Sequence, residues 1–391
     1  MIGAFNRSAA FCILTGTIFA LVFSLQLPVA QDLDFFPVYG QVLGMLNGIP
    51  FYNESQLYEW LSGRFPTLAT ADAPPLAQPP WYFASLFFLG FFGLPEAAKI
   101  WFSLNLSMLI ISALIITKGG PLRVRAAAAI IFLTFPPAIG HNVVGQFTMP
   151  VLLGTALGIE GVRSKSPWCC AAAMFLCTYK PHIGLPIAWA ILMVALFQGI
   201  GKSAALRALW LLAAGAALGF LADSNWLLNY SGAVLRVKNL GQNVSCDTCI
   251  SFTYALSSQE ILTVSSAWIF SMAAGALTLV ASAWLAYRTP SFKGAAHLIA
   301  ASGLIGLLLS PYVRNYDMVA ALPAMVIPFL YHGWRVRTAV VVVLAVIIVI
   351  FYDQPRGAYQ LVYPTVLTAV AAINAVSCAG AARKMREIPA S

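Results

Sequence analysis

The chain has 391 residues, of which 60% are hydrophobic and 9% charged, with a formal net charge of +9. Soluble domains carry about a quarter charged residues, so this composition excludes an ordinary soluble fold, and a mean hydropathy of +0.82 points to the bilayer. The basic residues stand in short clusters between apolar runs, where they set orientation, so the positive charge does not indicate nucleic acid.

A membrane-crossing helix needs about 20 apolar residues, somewhat fewer where it is kinked. In chain order the pattern predicts twelve, over residues 9–29, 97–117, 126–140, 147–162, 167–179, 183–199, 204–222, 262–286, 295–310, 316–331, 338–352 and 359–381. The first could be a cleaved signal peptide, but its run is long enough to span and is read as an uncleaved helix. Residues 81–92 are also apolar but only half a span long, bracketed by Pro79, Pro80 and Pro95, which predicts an interfacial or re-entrant helix. The spans leave no room for a soluble domain, so residues 1–391 read as one all-α polytopic membrane domain. Two long loops interrupt it, 30–96 and 223–261.

With the amino terminus inside, 15 of the 22 basic residues fall on the inner side and 11 of the 13 acidic residues on the outer side, with only Glu160 and Glu387 inside. The positive-inside rule favours this orientation and makes both termini cytoplasmic. The inner loops hold little besides Lys, Arg, Gly, Ser and Pro, and there is no P-loop, so a cytosolic nucleotide site lacks residues to build it. An activated substrate would then arrive as a lipid-linked donor in the bilayer.

Four outer segments hold the polar groups. After the first span, Asp32 and Asp34 stand beside Phe35 and Tyr39; a carboxylate half-buried there could accept a proton from an alcohol, or the pair could merely cap the interface. Between spans three and four, His141, Asn142 and Gln146 could hold sugar hydroxyls or a phosphate oxygen, or form a hydrated turn. Between spans five and six come Lys180 and His182. A Lys beside a helix start suits a phosphate, the alternative being that it snorkels to the interface. Before span ten stand Arg314, Tyr316 and Asp317: Arg314 could bind a lipid phosphate, and Asp317 could orient substrate or pair with Arg314 or Lys180. Asp353 and Arg356 repeat the idea more weakly. Cys246 and Cys249 form a CxxC in a polar loop, read as a local disulfide because a zinc site would need two more ligands.

These residues resemble glycosyltransferase family 87, a branch of the GT-C superfamily that includes polyprenol-phosphate-mannose-dependent mannosyltransferases. The resemblance rests on Asp34-Phe35 with Val38-Tyr39, then Leu46-Asn47-Gly48-Ile49-Pro50-Phe51-Tyr52. Pro79-Pro80, Trp101, Asn105, Gly145-Gln146, Tyr179-Lys180-Pro181, Ser310-Pro311 and Tyr316-Asp317 follow in the family's order. It implies a GT-C-type fold with the site in the outer loops, at the periplasmic face of a bacterial inner membrane. It also implies inverting transfer of a sugar, mannose by the family's example, from a polyprenyl phosphate to a glycolipid or glycan acceptor. Asp34 would be the general base. Lys180 and Arg314 would bind the donor phosphate, with Asp32, Tyr39, His141, Gln146, His182, Tyr316 and Asp317 around the substrates. No metal or other cofactor is implied, so the DxD of Asp32 and Asp34 is not read as a metal site; His141 and His182 both remain candidates for the family's histidine near the reacting centre. Two other classes fit less well. A secondary transporter or flippase would place polar groups near mid-membrane in inverted repeats, and a polysaccharide polymerase or ligase would be expected to show paired outer arginines.

Overall fold

The computed structural model describes residues 15–24, 34–66, 78–243, 249–258, 260–289, 291–310, 313–331, 343 and 362–386. Asp32, Cys246, Asp353, Arg356 and all of the expected span 338–352 except residue 343 lie outside them. In chain order the helices are α1 (Thr15–Ser24), α2 (Phe35–Leu46), α3 (Glu54–Ser62), α4 (Pro80–Ser85), α5 (Leu94–Ile116), α6 (Leu122–Thr134), α7 (Pro136–Val144), α8 (Met149–Ser164) and α9 (Pro167–Cys177). They continue with α10 (Pro181–Phe197), α11 (Gly201–Ala222), α12 (Trp226–Asn243), α13 (Phe252–Ser258), α14 (Val264–Arg288), α15 (Phe292–Leu309), α16 (Leu322–Tyr331) and α17 (Val362–Arg386). Short 3-10 helices cover Phe87–Phe91 and Asn315–Ala321. Among the described residues there is no strand, only one isolated bridge between Cys249 and Arg314.

Among the described residues four helices, α5, α11, α14 and α15, are long and apolar enough to cross a membrane, or five spans if the bent pair α6 and α7 counts as one. The bend of 50° at that pair has a local cause. Pro136 follows Phe135, and a residue before proline is driven out of the helical region; Phe135 accordingly sits at φ −66°, ψ 114°. The segments expected at 147–162, 167–179 and 183–199 are helices of 16, 11 and 17 residues, each under the about 20 of a full span; at 1.5 Å per residue α9 is roughly half a bilayer core. The segment expected at 316–331 begins as a 3-10 helix rather than an α-helix. The apolar stretch at 81–92 forms α4 and the following 3-10 turn, as its length and prolines predict.

The chain groups into two compact units. One comprises Met1–Ile110, Gly140–Phe147 and Leu212–Leu240; the other comprises Ile111–Ile139, Thr148–Leu211 and Gly241–Ser391. In the first, the loop expected at 30–96 is largely helical. Its α2 buries Phe35, Phe36, Val38, Tyr39, Val42 and Leu43. α3 lies close against it because Cβ atoms at Gly40 and Gly44 would fall 2.7 and 2.8 Å from Leu61 and Leu57. In the second unit α15 is the central helix and α14 a peripheral one, their apolar windows being 72% and 17% buried. Ile269, Met272, Leu277 and Val280 stand exposed along α14; such a face is stable against lipid rather than water. His297 Nδ1 pairs with Asn374 Oδ1 at 2.8 Å, and Asn374 Nδ2 donates to the Ala324 carbonyl at 2.8 Å, joining α15, α16 and α17. Glu160, an acid that the sequence puts on the inner side, accepts from Lys118 and, at 3.0 Å, from Arg163.

Candidate active site

Each unit holds one cluster of the expected residues. In the first, Asp34 stands at the start of α2, half-buried, and accepts a hydrogen bond on Oδ2 from Gln146 Nε2 at 2.6 Å. They stand 112 positions apart in the chain, and Gly145 packs against the start of α2. Its φ of +74° is one that glycine alone adopts without strain, and a Cβ there would fall 2.6 Å from that of Phe35, Asp34's neighbour. Gly145→Ala is therefore expected to destabilise the protein by about 1–3 kcal/mol from backbone strain, with added cost from the clash. Parallel thermal melts and transfer assays in detergent check this, and an unchanged melting point with full activity would contradict it.

Two residues of α5 hold the same loop from the other side. Trp101 Nε1 donates to the Gly145 carbonyl at 3.0 Å and Asn105 Nδ2 to the Gln146 carbonyl at 3.2 Å. Both are buried, and both were visible in the sequence only as pieces of the family resemblance. His141 is fully buried in the last turn of α7, where its carbonyl accepts from the Gln146 N–H at 3.0 Å. Tyr39 is buried with its ring stacked on Phe35 and its hydroxyl donating to the Phe92 carbonyl at 2.7 Å. Burial, with the Glu96 carboxylate nearby and Arg64 opposing, holds the Tyr39 phenol above its ordinary value; burial, with smaller contributions from Tyr230 and Asp223, does the same for Tyr52. Both stay protonated and serve as hydrogen-bond donors.

In the second unit Lys180, the N-cap residue of α10, places Nζ 2.5 Å from Asp317 Oδ1 and 3.2 Å from Thr148 Oγ1. Thr148 donates to the same Asp317 oxygen at 2.6 Å. The other, Oδ2, accepts the Arg314 backbone N–H at 3.3 Å and so caps the start of the 3-10 helix. Lys180, Asp317 and Thr148 are 6%, 2% and 0% exposed, so the pair is a buried one that desolvation makes intolerant of losing either partner. Of the two sequence alternatives for Asp317, pairing is thus with Lys180. The Tyr316 ring lies between the cations, its centroid 6.0 Å from Lys180 Nζ and 6.0 Å from Arg314 Cζ. His182 is exposed in the first turn of α10. Thr148 was missed in the sequence reading; a Thr just before an apolar helix carries no signal until its partners are known.

The loop ahead of α13 pairs with the backbone beside Arg314, through the bridge at Cys249 and the Ile250 N–H donating to the Val313 carbonyl at 2.9 Å. Cys249 is disulfide-bonded.

The fold and these clusters define a helical membrane protein that concentrates ionisable groups at the ends of short helices and keeps its long apolar faces plain. The sequence model of glycosyltransferase family 87 matches residues 78–311, and the chain belongs to that family. It is accordingly a membrane glycosyltransferase. No curated protein and no solved structure matches it.

Proposed function

We propose that this protein transfers a sugar, mannose being the expected one, from a polyprenyl phosphate to a hydroxyl of a lipid- or glycan-linked acceptor, at the periplasmic face of a bacterial inner membrane. The observation that carries the reading is the half-buried Asp34 carboxylate fixed by Gln146. The hydrogen bond from the Gln146 amide fixes the orientation of the carboxylate that is to meet the acceptor hydroxyl. Asp34 takes the proton of that hydroxyl as its oxygen attacks the anomeric carbon. The bond from that carbon to the phosphate oxygen breaks, and polyprenyl phosphate departs with the electron pair, giving inversion. Positive charge near the leaving oxygen stabilises the transition state, and Lys180 and Arg314 are assigned that work, with Tyr316 and His182 beside them. His141 and Asp32 are assigned to substrate binding in this reading.

One feature supports it: the disulfide at Cys249 suits an oxidising compartment, in keeping with an outer site. The test is transfer by the purified protein in nanodiscs, offered radiolabelled polyprenyl-phosphate mannose and polyprenyl-phosphate arabinose with a membrane lipid extract as acceptor. Labelled glycolipid is expected from the mannose donor. Folded protein that yields product from neither donor would overturn the polyprenyl-phosphate reading.

A further inference from the structure

We infer that Trp101 and Asn105 are positioning residues of the transfer reaction, acting through Gln146 on Asp34. This rests on the reading of Asp34 as the base. The two side chains stand four residues apart on α5, so they share one helix face. They donate to two consecutive carbonyls, those of Gly145 and Gln146. In an extended chain successive carbonyls point to opposite sides; here both accept from a single face of α5. Gly145, at φ +74°, also lies against Phe35, the neighbour of Asp34. The loop is therefore pinned at both ends of the residue whose amide binds the carboxylate, and that amide has no slack with which to drift from Oδ2.

Asn105 carries a second sign of this role. Its residue is 0% exposed, and its Oδ1 has no hydrogen-bond partner among the described residues. A buried acceptor left unmet is costly, and an apolar side chain would fill the place without that cost. What the amide contributes is the donor to Gln146. Trp101 likewise presents its ring to Phe147, with centroids 5.7 Å apart, so packing alone would be served by Phe.

The experiment is a double-mutant cycle on transfer kinetics, using Trp101→Phe, which keeps the ring stack, and Asn105→Leu, which also removes the orphaned oxygen. Each is crossed with Gln146→Leu. Misplacing a reacting group by about 1 Å costs up to roughly 10²-fold in rate, so each single variant is expected to lower kcat by about 10-fold or more with KM for donor and acceptor unchanged. In the Gln146→Leu background neither should lower kcat further, because the element they position is gone. Multiplicative losses in the double variants, or wild-type kcat in Trp101→Phe, overturn the inference. A merely structural role would give the multiplicative result along with lower melting points. The two readings fail separately: Asp34→Asn with full turnover removes the base and the inference with it, whereas an inactive Asp34→Asn beside fully active Trp101→Phe removes the inference alone.

Discussion

Asp34→Asn is expected to lower kcat by about 10²–10⁴-fold, the usual contribution of a positioned general base, while leaving the donor KM and the melting point near those of the wild type. The fold should survive because an Asn side-chain oxygen can accept the same hydrogen bond that Gln146 Nε2 gives to Oδ2. What vanishes is the ability to take a proton, since an amide oxygen is too weak a base to hold one near neutral pH. Asp34→Glu separates basicity from position: it restores a carboxylate one methylene further out, where Gln146 no longer meets it at the same angle. Partial turnover in Glu and none in Asn is the expected order. Equal loss in both would point to geometry alone, and retained turnover in Asn with the protein folded would remove Asp34 from the chemistry. Single-turnover measurement with a preloaded donor is the direct readout, because product release from the membrane can hide a change in the chemical step.

Much of this was legible in the sequence, and what was not has definite causes. Composition and hydropathy pattern called for an all-helical membrane protein, which the described helices bear out, but among the described residues four or five spans, not twelve, are long and apolar enough to cross a membrane. Their lengths were less legible where a hydropathy window cannot see that Pro136 starts a new helix and so divides the run expected at 126–140. The outer segment at 30–96 read as loop because proline, glycine and charge interrupt it, yet α2 and α3 form there once Gly40 and Gly44 admit Leu57 and Leu61. In the candidate site, Asp34, Gln146, Lys180 and Asp317 were each singled out as rare polar groups. The pairings were not readable: Asp34 with Gln146 and Lys180 with Asp317 span 112 and 137 residues, and nothing local encodes them. Trp101 and Thr148 were harder still, since aromatic and hydroxyl groups are ordinary in apolar helices.

The Lys180–Asp317 pair gives the largest expected effect on folding. Removing one partner from a buried ion pair leaves an uncompensated charge and costs about 3–5 kcal/mol. Asp317→Asn removes the carboxylate that faces the Lys180 ammonium, and Lys180→Met removes the cation from a carboxylate that keeps Thr148 and the Arg314 N–H. Each single variant is expected to yield little folded protein or a sharply lower melting point. Replacing the cluster together, as Lys180→Met, Asp317→Leu and Thr148→Val, removes both charges and the hydroxyl between them. The residual cost is then about 1–3 kcal/mol for the Arg314 N–H that loses its acceptor, so most of the stability should return. Activity in this triple variant decides what the lysine is for. A stable protein without transfer means that the cation is needed by the donor phosphate and that Asp317 holds it in place between turnovers. Stability and transfer returning together would make the pair structural and leave the phosphate to Arg314, whose replacement by Gln would then be expected to raise the donor KM on its own.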